Sequence, residues 1–160
     1  MKRAKLLLPL LLLLPQLLFA AAGGGGEPTC AKNATTLHKG PGRHFPVTWK
    51  VSRYMPFMRY ESKSGWARVE DLEGESHWAE SKDLTRSIHC VVVKSQVANF
   101  HKEPKTSSKA ADLKTLDRYT PLKKISVDAE WIHAEDEAGH QGWINEASVW
   151  KPVRVANFSF

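Results

Sequence analysis

The sequence is poor in the residues from which catalytic and metal sites are assembled. It holds two cysteines in 160 residues, too few for a multi-bridge scaffold or a four-thiolate metal cluster. Its seven histidines show no zinc-ligand spacing. A nucleophilic cysteine needs a positioned base and an oxyanion site. Cys30 sits in a glycine-rich leader and Cys90 in a linker, and neither has such a setting. The chain is therefore read as non-enzymatic, with no cofactor and no metal ion. A basic patch is missing too. Basic residues are interleaved with acidic ones, which argues against a nucleic-acid partner.

What is present begins with MKRAKLLLPLLLLLPQLLFAAAGGGG. Lys2, Arg3 and Lys5 form a positive head. Residues 6–19 form an apolar run too short to span a bilayer comfortably, and an A-x-A pattern ends at Ala22. This reads as a secretory signal peptide over residues 1–22, followed by a Gly-rich leader over 23–30. Export would place the mature chain in the periplasm or outside the cell, with no stable membrane span after cleavage. Three of the 23 basic residues fall in the signal, leaving 20 against 17 acidic residues, a net charge of +3. That balance supports only weak attraction to anionic polymers. An even cysteine count in an oxidising compartment points to one disulfide, Cys30 with Cys90.

The rest of the chain is written twice. GWARVEDLEGESHWAESKDL starts at Gly65, and EWIHAEDEAGHQGWINEASV starts at Glu130. Trp66 aligns with Trp131, Gly74 with Gly139 and Trp78 with Trp143. TLHKGPG at residues 36–42 matches NFHKEPK at 99–105, so His38 recurs as His101. RYMPFM at 53–58 matches RYTPLK at 118–123. The offset is 63 residues early and 65 later, which puts a two-residue insertion between Pro104 and Tyr119. The units are residues 31–87 and 90–152, with a tail at 153–160. Each copy is made of short strands: VTWKV, FMRYE, WARVE and HWAES, then VVVKSQVANF, LKKISV, WIHAE and GWINE. DLEG and DEAG begin with Asp and end with Gly, as a type I turn closed by a left-handed glycine does. KTSSKAADLKTL has poor apolar spacing and reads as a loop or a single turn.

These residues resemble the bacterial SH3-like domain family. In copy one the likeness rests on the GPG loop, Phe45-Pro46-Val47, Trp49, Arg53-Tyr54-Met55-Pro56 and Trp66-Ala67-Arg68-Val69. Asp71, Glu73-Gly74, Trp78 and the closing residues 81–84 complete it. Copy two is a weaker match, with Glu103 and Lys105 where loop glycines are expected. Its GHQGWI hairpin is the better match there, because His77 replaces the usual glycine before Trp78. The resemblance implies an all-β protein: two tandem SH3-like small β-barrels after the signal peptide, each of about five strands. It also implies adjacent termini in each barrel, so that a Cys30–Cys90 bridge would staple the first barrel end to end. Secreted members of the family are commonly cell-wall or protein-binding modules.

The turn centre near Leu72 lets Trp66 face Trp78, and Trp131 face Trp143, across a hairpin. Such pairs either cover the open flank of a small barrel or form an aromatic platform. Trp49 and Trp150 have no tryptophan counterpart in the other copy. They are candidates for a domain–domain contact, a ligand surface or local core variation. The groove expected to bind ligand is formed by Trp49, Tyr54, His44 and Phe45. Its expected partner is cell-wall peptidoglycan or an envelope protein or peptide. The alternative is a structural or regulatory partner that docks on another envelope protein.

Overall fold

A computed structural model describes residues 25–154 of the chain. The signal-peptide reading over 1–22 and the tail beyond Arg154 lie outside the described residues. The architecture is all-β, with two seven-stranded antiparallel sheets of identical strand order. The first comprises β1 (Glu27–Ala31), β2 (Thr35–His38), β3 (Val47–Val51), β4 (Pro56–Lys63), β5 (Trp66–Glu70), β6 (Ser76–Glu80) and β7 (Leu84–Thr85). The second comprises β8 (Cys90–Val93), β9 (Val97–His101), β10 (Ala110–Asp117), β11 (Pro121–Asp128), β12 (Trp131–Glu135), β13 (Gln141–Asn145) and β14 (Val149–Trp150). The spatial order is β3-β2-β6-β5-β4-β1-β7, repeated as β10-β9-β13-β12-β11-β8-β14. The expected five strands thus become seven segments, because each sheet adds a strand from the N-terminal side and a two-residue closing strand. A single 3-10 turn precedes each closing strand, at Ser81–Asp83 and Glu146–Ser148.

Alternation of side chains drives the core. In β5, Ala67 and Val69 are buried, and in β12 Ile132 and Ala134 are. Leu37 and Phe57 are fully buried in the first core, and Phe100 and Leu122 in the second. Burying one such side chain contributes roughly 1.5–3 kcal/mol. Copy one therefore uses Leu then Phe where copy two uses Phe then Leu, and each core keeps one aromatic ring of this pair.

Three strand assignments differ from the reading of the sequence. Residues 27–30, taken as the end of a leader, belong to β1, which pairs with β4 and β7. KTSSKAADLKTL contributes most of β10 rather than a loop. Its apolar spacing is poor because a bulge interrupts the ladder between Ala110 and Thr115. The matching pair β2–β3 has a smaller irregularity, with Leu37 opposite Trp49 and His38 opposite Val47. The two inserted residues are therefore absorbed inside this bulge. VVVKSQVANF is split into β8 and β9 at Lys94-Ser95-Gln96.

The hairpin turns agree with the sequence, but the tryptophan pairs do not. Gly74 and Gly139 have φ of 79° and 91°, a region open to glycine at little cost. The Gly74 amide donates to the Asp71 carbonyl at 3.1 Å, and the Gly139 amide to the Asp136 carbonyl at 3.2 Å. Opposite Trp78, however, stands Arg68, and opposite Trp66 stands Glu80. In copy two, Trp143 stands opposite His133 and Trp131 opposite Asn145. The two tryptophans of each hairpin lie diagonally on one face. The aromatic partners are histidines: Trp66 meets His38 edge-on at 5.3 Å, and Trp131 meets His101 at 5.2 Å. Trp143 stacks on His133 at 4.9 Å. Recurrence of His38 and His101 is explained by this packing.

Cys30 and Cys90 form a disulfide, with Cα atoms 6.2 Å apart. The bridge does not staple the first unit to itself. Cys30 lies in β1 of the first sheet and Cys90 in β8 of the second. In β8, Val91 and Val93 join the core of the second unit, while Val92 joins the core of the first. Cys90, two residues from Val92, shares its face and meets Cys30 there.

Candidate functional site

Trp49 stands on β3, an edge strand of the first sheet, and packs half-buried against the first core. Its ring meets Tyr119, from the turn that precedes β11, at 5.5 Å and 80°. The two rings form the corner of a cleft of about 320 Å³, lined also by Thr48, Asp71, Glu75 and His77. The second unit supplies Tyr119 and the first supplies the rest. Trp150, the other unrepeated tryptophan, also packs half-buried against the first core from β14. Of the readings open from the sequence, the domain–domain contact is the one observed for both residues.

Tyr119 is held by its backbone. Its φ is 68°, and its amide donates to the Val93 carbonyl at 2.9 Å. Its hydroxyl donates to Glu73 Oε1 at 3.0 Å, and Arg118 pairs with the same carboxylate. The Arg118 guanidinium lies 5.1 Å from the Tyr119 ring centroid.

Tyr54 is the repeat equivalent, with φ of 72° and an amide that donates to the Ala31 carbonyl at 2.9 Å. Its ring packs with the disulfide and Ile88, with Arg53 4.6 Å above it. At 4% exposure Tyr54 has no contact area to offer a ligand, and this corrects its placement in the groove. The sequence pairs the two tyrosines, and it is Tyr119, not Tyr54, that lines the cleft beside Trp49. The same Arg-Tyr turn aims one ring at the bridge and the other at Trp49.

The floor of the cleft is a polar chain. Thr48 Oγ1 and His77 Nδ1 are 2.9 Å apart, and His77 Nε2 lies 3.5 Å from Asp71 Oδ2. His77 Nε2 is buried and has no hydrogen-bond partner. Asp71 Oδ1 accepts from the backbone amides of Glu73 and Glu75 at 2.9 and 3.0 Å. Burial pushes the Asp71 carboxyl up, but the His77 ring and those two amides outweigh it and hold the pKa below the ordinary value. His77 stands where copy two has Gly142. A Cβ on Gly142 would meet Ala111, Phe100 and the His101 carbonyl at 3.0 Å, so the second core has no room for this side chain.

His44 and Phe45 belong elsewhere. They sit in the GPG loop with rings 4.3 Å apart. A Cβ on Gly40 would strike the Phe45 ring at 2.6 Å, and one on Gly42 the His44 ring at 2.6 Å. The glycines therefore exist to let these rings brace their own loop. The Phe45 carbonyl lies 2.8 Å from His38 Nδ1, which ties the loop to β2. Nearby runs a wider groove of about 480 Å³, lined by Thr35, Thr36, His38, Arg43, Lys50, Glu80 and Asp83 among others. Arg43 pairs with Glu80 at 2.6 Å and Thr35 bonds Asp83 at 3.3 Å, so much of its polarity is satisfied internally. The four sequence candidates thus fall at three places, and only Trp49 lines the cleft.

Among the described residues, no group of three His, Cys, Asp or Glu side chains could hold a metal ion. No helix there is long and apolar enough to cross a membrane.

Comparison with known proteins adds the following. The family model described as bacterial SH3 domain matches residues 31–85 and again 94–151. No curated protein matches the chain. Among solved structures, NlpC1 from Trichomonas vaginalis is 12% identical, with a TM-score of 0.36; the match covers 83% of this chain and 48% of that one. NlpC2 from the same organism is 14% identical, with a TM-score of 0.35, and 82% and 51% are covered. The chain spans about half the length of these two proteins.

Proposed function

The chain belongs to the bacterial SH3 domain family, and from that premise we propose a non-catalytic envelope module that binds a cell-wall peptide or polymer in the Trp49–Tyr119 cleft. The observation that carries this reading is the cleft itself. Two half-buried aromatic rings from different units form its walls, and polar groups line its floor. Ligand sites take this form, with apolar walls and a few placed polar groups. The signal-like N-terminus and the disulfide support export.

The test is co-sedimentation of residues 23–160 with purified peptidoglycan sacculi at low and moderate salt. Salt-resistant retention is expected, weakened about tenfold by Trp49→Ala. Retention that disappears at moderate salt, or that Trp49→Ala leaves intact, would sink the reading.

Docking on another envelope protein is the second reading. Ile125 and Val127, 42% and 54% exposed on β11, favour it. Trp150 does not, because it is half-buried at the junction of the two units. Capture of an envelope protein that Val127→Lys abolishes, with no retention on sacculi, would select it.

A further inference from the structure

The charges around the cleft are one-sided. Asp71 and Glu75 line it, and among the described residues its only basic lining side chain is His77, whose ring nitrogens face Thr48 and Asp71. Glu73, at the rim, is already engaged by Arg118 and the Tyr119 hydroxyl. Arg118 in turn lies over the Tyr119 ring. That leaves Glu75, which has no ion pair among the described residues, and the Trp49 ring. The Asp71 side chain is 9% exposed, with Oδ1 occupied by two amides and Oδ2 facing the unpartnered His77 Nε2.

An anion entering here would meet two carboxylates, and the Arg118 guanidinium at the rim is already held by Glu73. A neutral sugar would donate hydroxyls to those carboxylates but leave their charge uncompensated as it desolvated them. An organic cation satisfies both parts, since a carboxylate and an indole ring attract positive charge together. The cleft, of about 320 Å³, is large enough for a side chain or a chain terminus. The molecule holds cations over aromatic rings elsewhere, with Arg53 over Tyr54 and Arg118 over Tyr119.

We infer that the cleft between the two units recognises a primary amine, of the kind carried by a lysine-like side chain or a free amino terminus, with Glu75 as counter-ion and Trp49 as ring partner. This deepens the wall-peptide reading and rests on it for the source of the amine.

The probes are Nα-acetyl-lysine methylamide and the same compound acetylated at Nζ. Binding to residues 23–160 is followed through the six indole N–H signals in a nitrogen–proton correlation spectrum, with Trp49 assigned by its loss in Trp49→Phe. The amine is expected to shift the Trp49 signal with a Kd at least tenfold lower than the acetylated probe. Glu75→Gln, an exposed change that leaves the fold intact, should raise that Kd about fivefold or more. Equal affinity for both probes, no shift with either, or an unchanged Kd in Glu75→Gln overturns the inference.

The two proposals fail separately. Amine selectivity without retention on sacculi removes the wall reading and keeps the amine site. Retention on sacculi whose amines have been acetylated, together with equal affinity for the two probes, removes the amine site and keeps the wall reading.

Discussion

Among the described residues, four other than glycine have positive φ, and they form two repeat pairs: Tyr54 with Tyr119, and Ser64 with Ala129. The left-handed region costs an L-residue on the order of 1–2 kcal/mol relative to glycine. The tyrosines offset it by placing their rings against the disulfide and against Trp49. Ala129 offsets nothing, because it is exposed in the turn between β11 and β12. Copy one places Gly65 (φ 83°) right after Ser64 in the matching turn. Ala129→Gly is therefore expected to stabilise the protein by about 0.5–1 kcal/mol, read as a shift in urea midpoint with unchanged slope. Asp71 and Asp136 give a second prediction. Burial raises each pKa, but a histidine and backbone amides outweigh burial, so both lie below the ordinary aspartate value of 3.8. A group with a depressed folded pKa contributes stability above its unfolded value and loses it as pH falls through the folded one. The acid limb below about pH 4 should flatten in Asp71→Asn with Asp136→Asn, where urea midpoints are measured from pH 2 to 6.

At the scale of elements, the exchanged core residues make a sharper test than any single deletion. Leu37→Phe alone overpacks the first core and should cost about 1–3 kcal/mol. Adding Phe57→Leu recreates the arrangement of Phe100 and Leu122, and should bring stability back to within about 1.5 kcal/mol of the parent. A double variant no better than Leu37→Phe would mean the two positions do not share volume. Elements with unbroken alternation and glycine-marked turns were legible in the sequence: WARVE and WIHAE are β5 and β12 to the residue. β10 was not, since its bulge breaks the period by which a strand is recognised. The tryptophan pairing failed on register, which turn chemistry fixes only once the closing residues are known. Trp49 was legible as an unrepeated residue. Its partner Tyr119 was hidden because a repeat shows which residues are equivalent, not which copy faces the junction.

At the scale of the molecule, two units of about 60 residues each have little core to spare, and this chain joins them by packing as well as by a covalent bridge. Val92, Tyr119 and Trp150 of the second unit all lie against the first core. Arg118–Glu73 and Arg154–Glu27 add charge pairs across the same junction. The bridge closes a segment with a sequence separation of 60, which on the chain-entropy account stabilises by about 4 kcal/mol. That effect acts on the unfolded chain and does not itself couple the units. The parent protein should therefore unfold in one transition, with tryptophan fluorescence and far-ultraviolet dichroism coincident in urea. Cys30→Ser with Cys90→Ser should move that transition to lower urea and keep it single, because the buried face of β8 still links the cores. Val92→Ser in the same background should then separate the two signals, with the first unit unfolding earlier because it has lost a side chain from its core. If the two probes separate as soon as the bridge is removed, the covalent link rather than the β8 packing makes the pair one cooperative unit.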